Sequence, residues 1–216
     1  AALGANSKQI MNASGIAASM SAGLLAFAKS DGGGMIKRLH LGRSAEAAVR
    51  AAQLAMRGFE GPDTAVDGQF GLLEAFCPEF NKIALTEELG SRWESLSICF
   101  KTFPAHITAH APLMATLELL QTCKLSISEI ARITICASKK VVSHHNIKQP
   151  HDIMQAQYSV PFCLAAGLVV DLSDPENFNS DLLQNPVLQA ILQKIEVFEH
   201  DGQAEHSWHA RVTITM

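Results

Sequence analysis

A surplus of positive charge is the first thing this sequence lacks. It carries 17 Lys and Arg against 21 Asp and Glu, a net charge of −4, and has no basic arm, which excludes the electrostatic footprint of a nucleic-acid surface. No apolar run is long and pure enough to span a bilayer, so no membrane partner is expected. The 5 cysteines (Cys77, Cys99, Cys123, Cys136 and Cys163) are odd in number and widely spaced. That excludes a C-x-x-C metal site and a disulfide framework, and they read as buried thiols in a reducing, cytoplasmic compartment. No start methionine, signal peptide or helix cap precedes Ala1 to Leu3, and the text stops in strand-like alternation at Ala210 to Met216. The expectation is therefore the middle of a longer protein whose last strand has its partner elsewhere.

What is present is the composition of an ordinary globular protein, 48% hydrophobic and 18% charged over 216 residues, enough for one large domain or two small ones. From Ser7 to Ala28 the text is helical but crowded with Ala, Ser and Gly, as expected of a central helix or broken helix pair packed closely among others. Asp31-Gly32-Gly33-Gly34 breaks it, and Lys37, Arg38, His40 and Arg43 follow. A helix is expected from about Ser44, capped by that serine, to Arg57, so these cationic residues would cluster upstream of its positive end as a candidate anion site. The alternative is a solvated loop with its charges pointing outward. Leu72 to Phe76 is a candidate helical turn, and Trp93 to Phe100 a short strand or extended arm.

The chain turns on Phe100-Lys101-Thr102-Phe103-Pro104-Ala105-His106-Ile107-Thr108-Ala109-His110. Pro104 fixes its own φ and biases Phe103 toward extended backbone, so Lys101 ends an arm and the residues after Pro104 begin a helix. Lys101 and His106 would flank that helix N-terminus, a place suited to a carboxylate or phosphate. His106 and His110 also form an H-x-x-x-H pair, but the glutamate of a zinc protease motif is absent, so an anion site or a packed pair is preferred and His110 is read as a core histidine.

Beyond this junction the text is α+β. A helix is expected from about Ala111 to Cys123 and a strand over Glu129 to Ala137. Ser143 to His151 reads as a polar loop with His144 and His145 facing solvent. Asp152 would cap one helix reaching about Val170 and carrying Tyr158. Short helices around Phe178 to Leu183 and Pro186 to Gln193 precede two strands, Ile195 to His200 and Trp208 to Thr215, expected to form an antiparallel pair joined through Asp201-Gly202.

The run Met35-Ile36-Lys37-Arg38-Leu39-His40-Leu41-Gly42, followed by Phe100-Lys101-Thr102-Phe103-Pro104-Ala105-His106 with His110, resembles the MmgE/PrpD family, which includes 2-methylcitrate dehydratase and cis-aconitate decarboxylase. The likeness runs along essentially the whole chain, which covers about half of a family member. It implies an all-helical domain, of which residues 1–99 would be part, followed by an α+β lid domain over residues 100–216, with the active site in the cleft between. It also implies a homodimeric lyase that uses no metal or organic cofactor and acts on a small di- or tricarboxylate. On this resemblance Lys37, Lys101, His106 and Tyr158 are the catalytic candidates, and His40, Arg38 and His110 bind substrate. Family histidines lying further upstream would precede Ala1, so turnover would need the rest of the protein.

Such a set suits the chemistry. Dehydration and decarboxylation both build charge next to carboxylates, so fixed cations hold the substrate while a histidine or tyrosine moves a proton. Dehydratase, decarboxylase and epimerase all remain open. So does a non-catalytic relative whose role is carboxylate binding or dimerisation. In the two-domain reading the glycine run Gly32–Gly34 lets a loop bearing Lys37 adjust as the lid closes.

Overall fold

A computed structural model describes residues 1–28, 34–200, 202, 204 and 207–216. The chain forms two compact units, Ala1–Ile98 and Cys99–Met216.

In the first unit the described secondary structure is helical. Helix α1 (Ser7–Ser19) begins with a reciprocal capping box: the Asn6 side chain accepts from the Gln9 N–H, and the Gln9 side chain accepts from the Asn6 N–H, each at 2.9 Å. It ends at Met20, so the helical text to Ala28 is a broken pair: Gly23 takes φ 115°, and a single 3-10 turn follows at Leu25–Ala28. Helix α2 (Ile36–Met56) packs on α1 through Ile16, Ala51 and Ala55, and small residues let the backbones close in. A Cβ at Gly15 would stand 2.4 Å from the Pro62 carbonyl oxygen, so only glycine fits there.

Helix α2 starts eight residues before the expected serine cap. Ser44 donates its hydroxyl to the His40 carbonyl at 2.9 Å, the back-bonding of a serine inside a helix, and Gly42 is carried through. Lys37, Arg38, His40 and Arg43 therefore lie within the first turns of α2 instead of on a loop ahead of it. The glycines expected to give that loop its freedom fall at residues 29–33, outside the described residues, apart from Gly34. Helix α3 (Leu72–Phe76) forms as expected. The expected strand or arm at Trp93 to Phe100 is instead a 3-10 turn, Glu94–Ser97, on an exposed segment.

The second unit is α+β and holds the larger core, built around Leu113, Ile133, Ile135, Phe162, Leu188 and Ile195. Helix α4 (Ile107–Cys123) starts at the proline junction, four residues earlier than expected, with His106 as its N-cap. Thr108, Ala109, Leu113 and Thr116 form its buried stripe, at the three-to-four spacing of one helix face. Leu113 packs so closely on Gly167 of α6 (Val160–Gly167) that a Cβ there would lie 2.5 Å from Leu113 Cδ1.

Strand β1 (Arg132–Ala137) buries Ile133, Ile135 and Ala137 on alternate positions and lies in the centre of a three-stranded sheet. Strand β2 (Ile195–Glu199) pairs with it in parallel, Ile133 opposite Ile195, and β3 (Arg211–Thr215) pairs antiparallel, Ile133 opposite Ile214. The expected β2–β3 hairpin is thus not formed, because the most apolar strand takes the place between them. The last strand has its partner within the chain, contrary to expectation. Asp201, half of the expected turn, lies outside the described residues.

The single helix expected from Asp152 to Val170 is two: α5 (Ile153–Ala156), capped by Asp152, and α6, capped by the Ser159 hydroxyl, which accepts from the Phe162 N–H at 3.0 Å. Pro161 in the first turn of α6 has no N–H to extend a helix through this point. Helix α7 (Pro186–Leu192) follows where expected. The cysteines do not all read as buried thiols: Cys163 is buried, whereas Cys99 and Cys123 are exposed.

Candidate active site

The break between α5 and α6 builds the site. Where a helix stops, its last carbonyls lose their intrahelical donors and must find others. The Gln157 carbonyl accepts the His106 backbone N–H at 2.7 Å, and the Tyr158 carbonyl accepts His145 Nδ1–H at 3.1 Å. Two consecutive carbonyls thereby pin two histidines that are distant in sequence.

Their rings meet. His106 and His145 stack with centroids 4.1 Å apart and planes 24° from parallel, and Tyr158 lies 5.3 Å from His106 and 6.1 Å from His145. Lys101 lies on the arm before them, its ammonium donating to the Ala105 carbonyl at 3.0 Å, one residue ahead of His106. The structure thus brings His106 and Tyr158 into contact, with Lys101 on the adjoining segment.

The hydrogen bonds assign the tautomers. His106 Nδ1 accepts the Thr108 N–H at 3.4 Å and lies 2.9 Å from the Thr108 hydroxyl, so a neutral His106 carries its proton on Nε2 and presents a donor there. His145 is the reverse: Nδ1 holds the proton against the Tyr158 carbonyl, and Nε2, an acceptor, is buried with no hydrogen-bond partner among the described residues.

His145 is 5% exposed and not on the polar, solvent-facing loop expected. It ends a π-helical turn, Val141–His145, whose apolar start at Val141 is also buried. That spacing, one helical turn after a buried valine, is the sequence signal that would have found it. Burial lowers its pKa to about 4; the Tyr158 carbonyl opposes the shift, while His144 and Lys140 add to it.

His110 sits apart from the ring cluster. It is buried in α4 against Phe103, centroids 5.3 Å apart, and burial lowers its pKa while the Ala105 carbonyl raises it. His106 is spent on capping and His110 on packing, so the H-x-x-x-H spacing does not form a chelate. Among the described residues no three His, Cys, Asp or Glu side chains group so as to hold a metal ion.

The remaining candidates belong to the first unit. Lys37 and Arg38 are exposed in the first turn of α2. His40 packs edge-on to Phe27, centroids 5.8 Å apart. With Arg43 it lines a cavity of about 330 Å3 between α1 and α2, where the Arg43 guanidinium is paired with Glu46 at 2.8 Å.

The folded pKa of His145 lies below the ordinary histidine value of about 6.5. Between those two values the unfolded chain takes up a proton at this position and the folded chain does not, so stability falls as pH falls through that window. His110, shifted in the same direction, adds to the effect. Melting temperature should therefore drop between pH 7 and about 4.5, and His145→Phe should flatten part of that slope. An identical slope in the variant would show that His145 is not buried neutral.

The MmgE/PrpD C-terminal domain model matches residues 103–215 and the MmgE/PrpD N-terminal domain model residues 1–83. Among curated proteins the chain is 26% identical to a cis-aconitate decarboxylase of Aspergillus terreus over 234 aligned residues, covering 97% of this chain and 47% of that protein. It is 26% identical to the cis-aconitate decarboxylase of Homo sapiens over 168 residues, 74% of this chain and 34% of that protein. The corresponding Mus musculus enzyme is 25% identical over 191 residues, 83% of this chain and 38% of that protein. The chain thus spans between a third and a half of the length of these relatives.

Proposed function

We propose that this chain, which belongs to the MmgE/PrpD family, is part of a lyase acting on a small di- or tricarboxylate, with decarboxylation of cis-aconitate the leading reaction. The observation that carries this reading is the contact of His106 with Tyr158, one residue beyond the carbonyl that holds Lys101.

In this reading Lys101 and Lys37 hold substrate carboxylates as point charges. As the bond to the departing carboxylate breaks, carbon dioxide leaves and the electron pair stays on carbon, spread toward a neighbouring carboxylate. The fixed ammonium groups stabilise that charge, and the carbon then takes a proton from a positioned donor. The Nε2–H of His106 is one such donor and the Tyr158 hydroxyl a second. Arg38 and His40 are secondary carboxylate contacts, and His110 supports the Lys101 segment from within α4.

The same reading assigns residues 1–99 to part of a helical domain and residues 100–216 to a lid domain. It makes the enzyme a cytoplasmic homodimer that needs neither metal nor organic cofactor. Described helices include none long and apolar enough to cross a membrane.

The test is an assay of the natural full-length protein on cis-aconitate, before and after exhaustive chelation. Release of carbon dioxide at an equal rate in both samples is the expected result. Activity that disappears on chelation and returns with zinc would overturn the metal-free reading, and no turnover of any di- or tricarboxylate would overturn the lyase reading.

A further inference from the structure

The reading above leaves one side chain of the cluster without work. His145 is buried and lies flat on His106 with centroids 4.1 Å apart, its Nδ1–H fixed by the Tyr158 carbonyl at 3.1 Å. Its Nε2 has no hydrogen-bond partner among the described residues. A buried, unsatisfied acceptor is destabilising, and a leucine of similar size would fill the space without that cost. Packing alone therefore does not account for an imidazole here.

The stack does account for one. A ring held in place by the main chain can fix the plane of a second ring against it, and an electron-rich face steadies a neighbour that becomes cationic as it handles a proton. His106 needs both. It is a cap residue on extended backbone (φ −62°, ψ 145°), and the Thr108 N–H that its Nδ1 accepts lies at a long 3.4 Å.

We infer that His145 is a positioning residue of this site: its ring, pinned by the Tyr158 carbonyl, is the platform that fixes the plane of His106 and so keeps its Nδ1 against Thr108, which sets the Nε2–H tautomer. The inference rests on the proposal that His106 acts on the substrate. Because His145 acts through His106, its loss should lower kcat and leave KM nearly unchanged.

Three variants of the natural full-length protein separate the parts. His145→Phe keeps the flat ring and loses the hydrogen bond to Tyr158; His145→Asn keeps a donor and loses the ring; His145→Ala loses both. With cis-aconitate as substrate, His145→Asn and His145→Ala should each lower kcat by about 10- to 100-fold with KM within about twofold, and His145→Phe, which keeps the ring but loses the pin, by a smaller factor of about 3- to 10-fold. Full activity in His145→Ala, or equal losses in the Phe and Asn variants, would overturn the inference.

A second readout does not depend on turnover. In 15N spectra of the histidine rings, His106 should show one fixed tautomer, proton on Nε2, in wild type and His145→Phe, and averaging between tautomers in the Asn and Ala variants. A fixed tautomer in all four proteins overturns the positioning role even if none of them decarboxylates cis-aconitate. Inactive wild type with the expected spectra would overturn the proposed reaction and leave the positioning role supported.

Discussion

Lys101→Ala should lower kcat/KM of the natural full-length protein on cis-aconitate by about 100- to 1,000-fold, the usual cost of removing one preorganised charge-stabilising donor. Stability should barely change. Lys101 is an exposed residue, and its part-buried bond to the Ala105 carbonyl is of a kind that contributes about 0.5–1.5 kcal/mol. Lys101→Arg should recover little, because a planar fork does not replace a compact ammonium held against the Ala105 carbonyl. Measuring kcat/KM together with melting temperature decides the matter: wild-type activity, or a loss that merely follows unfolding, would remove Lys101 from the site.

The second large effect is expected at His106. Two roles coincide there, since the side chain caps α4 through Thr108 and the ring stacks with His145 and Tyr158. His106→Ala would remove both, at a cost of about 1 kcal/mol for the cap alone. Asparagine separates them, being among the best capping residues but having no ring. His106→Asn should thus fold with nearly wild-type stability and lose about 100- to 10,000-fold in kcat, the range for a positioned proton-transfer group. If His106→Asn turns over within a few-fold of wild type, the proton comes from elsewhere and Tyr158 becomes the group to test.

Much of this could be read from the residues, and the failures share a physical pattern. The proline junction announced α4, because Pro104 restricts the chain on both sides of itself, and β1 was legible from its alternating isoleucines. The sheet order was not. Ile195 to His200 and Trp208 to Thr215 are close in sequence and look like a hairpin, but which strand lies between them depends on burial that a local reading does not weigh. The α5–α6 break was signalled by Ser159 and Pro161 and missed because the apolar text continues through it.

In the site the same contrast holds. His106 and Tyr158 could be picked out, one by its place beside Pro104 and the other by resemblance. His145 was passed over, because an imidazole in a polar stretch reads as solvent-facing unless the apolar Val141 one turn before it is weighed. At Ser44 the error ran the other way. A serine ahead of alanine-rich text has the look of a cap, yet its hydroxyl turned back to His40 and the helix had already begun.

Strand β2 joins β1 in parallel, and both His145 and Tyr158 lie on the connection between the two strands. The geometry of the site is thus completed by closing a long loop. The entropy of that closure grows only slowly with length, about 0.6 kcal/mol per doubling, so added residues on the connection away from the rings change its equilibrium cost little. Its cost in time is larger, since non-local parallel pairing forms slowly compared with helices and turns. A nascent chain that has emerged only as far as Leu192 therefore carries every ring of the cluster but lacks the strand that closes the loop around them.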